Sequence, residues 1–228
     1  MEHRSTLQQA YGFAFNLTAP PVVRSLFAVA TAFVVFGLVL LAIGRDPVEA
    51  YTKMYQGTLG SKLGLSEVGV RMIPFVLTGL AAAIPARVGL INVGGEGQLY
   101  IGAWAATGVV LYLGVGQIWL MLPLMAAAGF LGGAAWGAIA VFLRNWRGVN
   151  EVITTLLSNY VAILFVNVFV FGLWKNPDGF GYPYTADFGT EAILPALAGT
   201  RLHLGLVLPL MAVLASYLVL TRTTWGYN

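Results

Sequence analysis

Apolar residues fall along this chain in long unbroken blocks rather than at the spacing of an amphipathic helix, and the polar residues collect between the blocks. A helix that is apolar all round must be buried or sit in lipid. The first block, Leu26 to Gly44, is nineteen residues without a charge. A signal peptide has a shorter apolar core followed by a small-residue cleavage site, whereas Arg45-Asp46-Pro47 follows here, so the pattern predicts a retained first span. Further blocks over Met72–Ala86, Leu99–Gly114, Ile118–Leu143, a stretch beginning at Glu151, and Leu202–Leu220 bring the total to about six spans. Pro74 and Pro85 are expected to flank the second, and the mixed-charge residues 45 to 71, with Tyr51 and Tyr55, to lie at the membrane interface. The fold class is therefore an all-α polytopic membrane protein, with residues 1–25 a cytoplasmic segment and residues 26–228 one transmembrane domain.

Between the second and third spans lies Gly-Leu-Ile-Asn-Val-Gly-Gly-Glu-Gly-Gln, residues 89 to 98. The apolar blocks on either side are about fifteen residues long, short of the roughly 20 needed to cross the hydrocarbon. Each must borrow from the motif, which draws Asn92, Glu96 and Gln98 toward membrane depth. Non-helical backbone at that depth must be buried in protein or face water, and glycines 89, 94, 95 and 97 permit the unwinding. An acidic residue at a span centre costs roughly 3 kcal/mol against about 0.5 gained per leucine, so an unpaired Glu96 cancels about six leucines. Glu96 is paired, hydrated or protonated there, unless the stretch is a solvated cytoplasmic turn with Arg87.

The fourth block carries Gly129, Gly133 and Gly137, spaced four apart on one helical face, where a neighbouring backbone can approach closely. A basic connection, Arg144 to Asn150, leads to the fifth span, with Asn150 placed to cap it and Glu151 at the positive end of its dipole. At 100° per residue Glu151, Thr154, Thr155, Ser158 and Asn159 fall within an arc of about 140°. That face packs on other helices or lines an aqueous path. Trp174 to Thr200, with its prolines, glycines and acidic residues, reads as an extramembrane loop, and His203 as an unliganded interfacial histidine.

Composition changes the picture little and closes several alternatives. Hydrophobic residues make up 58% and charged residues 9%, against about 25% charged in a soluble domain. There is no cysteine and there are two histidines, so no thiolate site and no intramembrane metal centre is expected. The net charge of +3 is scattered among connections, which argues against nucleic acid and reports topology instead. With the N-terminus inside, Arg4, Arg24, Arg87, Arg144, Arg147 and Arg222 fall on the cytoplasmic side and the 174–200 loop outside. No Walker A motif, dinucleotide fingerprint, zincin or nucleophile-elbow motif occurs. No catalytic residue is assigned.

Residues 89–98, followed by Gly102-Ala103, resemble the signature of permease subunits of bacterial ABC importers in the simple-sugar, nucleoside and branched-chain amino-acid superfamily. Arg147 to Leu156 with Asn159-Tyr160, and Thr224-Trp225-Gly226-Tyr227, are similar to two further blocks of the sugar and nucleoside branch. The resemblance implies a second permease subunit, a cytoplasmic ABC ATPase that carries ATP and Mg, and an extracytoplasmic substrate-binding protein, with no cofactor on this chain. It also implies the bacterial cytoplasmic membrane, and further spans beyond Asn228, so that the chain is expected to be an incomplete permease. Gly89, Asn92, Gly94, Glu96, Gly97, Gln98, Asn150 and Glu151 carry the family motif. Asn92, Glu96, Gln98, Thr155 and Asn159 are the expected pathway residues for a small polar solute, and Trp104 is placed either to stack on its ring or to pack. Alternatives from other classes are a proton-coupled carrier with Glu96 as relay, or a membrane scaffold that transports nothing.

Overall fold

The computed structural model describes residues 20–179, 181–197 and 199–226. Most of the N-terminal segment 1–25 and Tyr227 of the last signature block lie outside the described residues. The chain forms two compact units, divided after Ser61.

In the first unit, α1 (Pro21–Ala42) starts on a proline, whose missing N–H costs nothing at that position. It ends at Gly44, whose φ of +74° is readily adopted by glycine. Helix α2 (Pro47–Thr58) is capped by Asp46, which accepts from the Val48 N–H at 2.8 Å. The two helices pack through Tyr51, whose hydroxyl donates to the Phe33 carbonyl while its ring lies 5.5 Å from that of Phe33. Tyr51 thus serves a helix–helix contact.

The second unit is a bundle of α3 (Lys62–Ala86), α4 (Gly95–Leu113), α5 (Ile118–Arg147), α6 (Glu151–Val168) and α7 (Val207–Arg222). Helix α6 runs on into one π turn, Phe169–Leu173, and α7 is entered through a 3-10 turn, Leu204–Leu206. His203 caps that turn by accepting from the Gly205 N–H at Nδ1. Between them the described residues of the 174–203 stretch are irregular, apart from a 3-10 turn at Thr190–Ala192 and one bridge between Ala196 and His203.

Helix α3 differs from expectation at its start. Its 25 residues begin at Lys62, so it gains length upstream rather than from the motif, and Pro74 and Pro85 lie inside it instead of flanking it. The charges at 62–71 belong to the segment expected at the membrane interface, yet they are helical: Glu67 is paired with Arg201 at 2.5 Å and the Arg201 N–H donates to the buried Ser66 hydroxyl. The Thr78 hydroxyl donates back to the Pro74 carbonyl one turn earlier, at 2.9 Å. Among the described residues, α1, α3, α5, α6 with its π turn, and α7 with its 3-10 turn are long and apolar enough to cross a membrane. Helix α4, the expected third span, has the length without the apolarity, because its first turn is Gly95-Glu96-Gly97-Gln98.

The bundle is built as a membrane protein is. Large apolar side chains such as Phe75, Trp119 and Phe130 face outward, while Ser66, Thr155 and Asn159 are buried. Helix α4 sits among α3, α5 and α6, and its closest partner is α5. A Cβ on Gly102 would lie 2.8 Å from the Gly129 carbonyl oxygen, and one on Gly132 the same distance from Ala105 Cβ. Gly133 and Gly137 face Gln98 of the same helix at 3.1 and 3.0 Å by the same measure. Lipid offers no hydrophobic drive for such pairing, so small residues that let backbones touch supply the attraction through packing.

Candidate functional site

The break between α3 and α4 begins at Gly89, whose φ of +72° places it in the left-handed region that ends helices. Residues 90–93 are non-helical, and α4 starts at Gly95. Leu90 still donates to the Pro85 carbonyl of α3 at 3.1 Å, but the N–H groups of Ile91 and Val93 have no helical partner and must find one elsewhere. Helix α6 provides it. The Glu151 carboxylate accepts from the Ile91 N–H at 3.4 Å, and the Thr155 hydroxyl accepts from the Val93 N–H at 3.2 Å. Asn159 does two jobs, accepting from the Gly97 N–H at 2.8 Å and donating to the Val93 carbonyl at 2.9 Å. These three side chains are four residues apart, so they form a ladder up one side of α6 that replaces the missing helical bonds.

Close approach makes the ladder reachable. A Cβ on Gly94 would lie 3.0 Å from Thr155 Cβ, and one on Gly97 3.0 Å from Asn159 Cα. Of the four motif glycines only Gly89 has positive φ, so Gly94 and Gly97 answer a need for contact rather than for an unusual backbone. Gly95 has room, with Thr78 at an ordinary 3.5 Å.

Asn92 closes the break onto α3. Its Nδ2 donates to the Ala81 carbonyl at 2.9 Å, and its Oδ1 accepts from the Gly94 N–H at 2.9 Å and from Gln98 Nε2 at 3.4 Å. Asn150 caps α6, accepting from Val152 and Ile153, and Arg144 forms an ion pair with Glu151 across the connection. The carboxylate therefore ties the end of α5, the start of α6 and the break together.

Beside these residues is a cavity of about 330 Å³, within the range of small-molecule sites. Asn92, Gln98, Arg144, Asn145, Glu151 and Thr155 supply its polar lining, and Ala81, Ile84, Leu90 and Ala140 lie among its apolar walls. Three candidates lie outside the lining: Asn159, which is taken up by the ladder, Glu96 and Trp104. Glu96 is exposed in the first turn of α4, outside the cavity lining, and has no side-chain partner among the described residues. Trp104 sits in an aromatic cluster, 5.0 Å from Phe165, 5.2 Å from Phe169 and stacked at 5.8 Å on Trp174, whose Nε1 donates to the Tyr112 hydroxyl. Among the described residues no three His, Asp or Glu side chains form a metal-binding group.

Sequence reasoning did not assign Arg144, Gly102 or Gly132 to this assembly. Arg144 had a signal, standing opposite in charge to Glu151 across a short connection. Gly132 had none, because it breaks the four-residue spacing of its neighbours.

Comparison with known proteins agrees with this architecture. The chain is 39% identical over 211 residues to a glucose ABC transporter permease protein of Haloferax volcanii, which covers 88% of this chain and 55% of that protein. It is 28% identical over 215 residues to a nucleoside ABC transporter permease protein of Lactococcus lactis, covering 91% of this chain and 59% of that one. A guanosine ABC transporter permease protein of Bacillus subtilis is 29% identical over 205 residues, covering 89% and 59%. The chain thus spans little more than half the length of these relatives. No solved structure matches it. Residues 64–228, which hold the break, its ladder and the cavity, match the branched-chain amino acid transport system / permease component family, and this multi-pass membrane protein belongs to that family.

Proposed function

We propose that this chain supplies membrane-spanning helices of a permease subunit of an ATP-driven importer, and that the solute is a sugar or nucleoside. The observation that carries the reading is a broken helix whose backbone is held by a neighbouring helix at the wall of a mainly apolar cavity that carries a few polar groups. Arg144 and Glu151 cancel in charge, and the remaining polar lining is amide and hydroxyl. Such a lining favours a neutral solute that pairs an apolar face with a few hydrogen-bonding groups over an ion. The relatives named for glucose, nucleosides and guanosine agree in substrate chemistry.

The partners implied are a second permease subunit, a cytoplasmic ATPase that binds ATP and Mg, and an extracytoplasmic binding protein. The membrane is the cytoplasmic one, with the N-terminus inside. The test is uptake of radiolabelled glucose and guanosine by the assembled complex in proteoliposomes. Uptake that requires ATP inside the ATPase compartment supports the reading. Uptake driven by a proton gradient without ATP overturns it in favour of a carrier.

A further inference from the structure

We infer that the carbonyl oxygen of Gln98 is the acceptor that reads the solute in the cavity, and that Asn92 is the positioning residue that points it there. The inference rests on the proposed transport role. It follows from counting which polar groups of the lining are already used. Thr155 donates to the Glu151 carbonyl at 2.7 Å and accepts from Val93. Glu151 is held by Arg144 and the Ile91 N–H. Asn92 has Ala81 on one side and Gly94 on the other. Asn145 is exposed at the edge. Arg144 keeps N–H donors only, and among the half-buried amides of the lining Gln98 is the one that keeps a free end.

Which end is free is fixed by a chain of one-way partners. A backbone N–H only donates and a backbone carbonyl only accepts. Gly94 N–H therefore sets Oδ1 of Asn92 on its side, and the Ala81 carbonyl sets Nδ2 on the other. Gln98 meets the Oδ1 side, so it must present Nε2 there, at 3.4 Å, and its Oε1 has no partner among the described residues. Gly137 makes room for this arrangement, because a Cβ there would lie 3.0 Å from Nε2. Gln98 thus offers an oriented acceptor to a hydroxyl or ring N–H of the solute.

The experiment is competition against uptake of labelled glucose and guanosine by the complete, assembled transporter. The competitors are monodeoxy and monodeoxyfluoro analogues, since fluorine replaces the hydroxyl without donating. In the wild type, one position should lose about five- to tenfold in apparent affinity with either analogue, the scale of one net hydrogen bond. In Gln98→Met that penalty should fall below about twofold. In Asn92→Ser the amide is free to turn over, so the fluoro penalty should shrink while the deoxy penalty stays. Full recognition of the fluoro analogues by wild type, or an unchanged penalty in Gln98→Met, overturns the assignment of Gln98. The first of these needs no variant to fold. Absence of ATP-dependent uptake of both parents by wild type overturns the transport reading itself and the inference with it.

Discussion

Replacing Asn159 by leucine keeps the branched shape of the side chain, at a larger volume, and deletes both of its hydrogen bonds, leaving the Gly97 N–H and the Val93 carbonyl without partners. Asn159 is 8% exposed, so water does not readily replace it. An unsatisfied buried polar group costs about 1–3 kcal/mol, which gives about 2–6 kcal/mol for the pair. Interhelical hydrogen bonds in membranes average only about 0.6 kcal/mol, because the reference state also finds partners. That discount applies to side chains on intact helices. Val93 lies in non-helical backbone with no ladder to rejoin, so the larger figure applies here. The assay is reversible unfolding of the purified chain in mixed micelles, with wild type and Asn159→Leu compared at equal abundance. Asn159→Asp is the useful companion, since it retains the acceptor for Gly97 but turns a carboxylate oxygen against the Val93 carbonyl. A loss above 2 kcal/mol in both variants is expected. A change under about 0.5 kcal/mol in Asn159→Leu would refute the claim that α6 supplies the missing bonds.

Three further outcomes are expected. Gly102→Leu and Gly132→Leu should each lower membrane abundance and thermal stability, by about 1–3 kcal/mol of overpacking, while Gly95→Ala, with open contact to Thr78, should be tolerated. The charge swap Arg144→Glu with Glu151→Arg should fail to restore stability in an unfolding assay, although it keeps an ion pair, because arginine cannot accept from the Ile91 N–H. A cysteine placed at Asp178 in this cysteine-free chain should react with an impermeant maleimide on intact cells. Reaction only after permeabilisation would invert the proposed topology.

The spans were legible because lipid imposes length and apolarity on any helix that crosses it, and both are countable in a sequence. The start of α3 was not. Lys62, Glu67 and Arg71 signal a loop when read locally, and what makes Glu67 acceptable in a helix is Arg201, some 130 residues further on. The polar side of α6 was legible from the 100° step, but its role was left open between packing and an aqueous path. The groups that Thr155 and Asn159 bind are backbone N–H and carbonyl groups, which carry no signature in the sequence. The same reasoning separates Trp104 from Gln98. They are six residues apart on α4, two-thirds of a turn out of phase, so one reaches the aromatic cluster with Trp174 and the other the cavity.

A helix break can be held by water, by an ion or by protein, and the choice determines what a solute can do there. Water-held backbone would exchange partners with any hydroxyl that arrived, and the break itself would bind the solute. Here Ile91, Val93 and Gly97 are already bonded to α6, and Asn92 is bonded to α3. The break therefore acts as a fixed wall, and recognition passes to Gln98 beside it, the half-buried amide whose oxygen has no partner among the described residues. It also means that α6 and the α3–α4 junction cannot slide past one another without breaking four bonds together, so a movement that opens the cavity must carry them as one body or exchange those bonds in a single step.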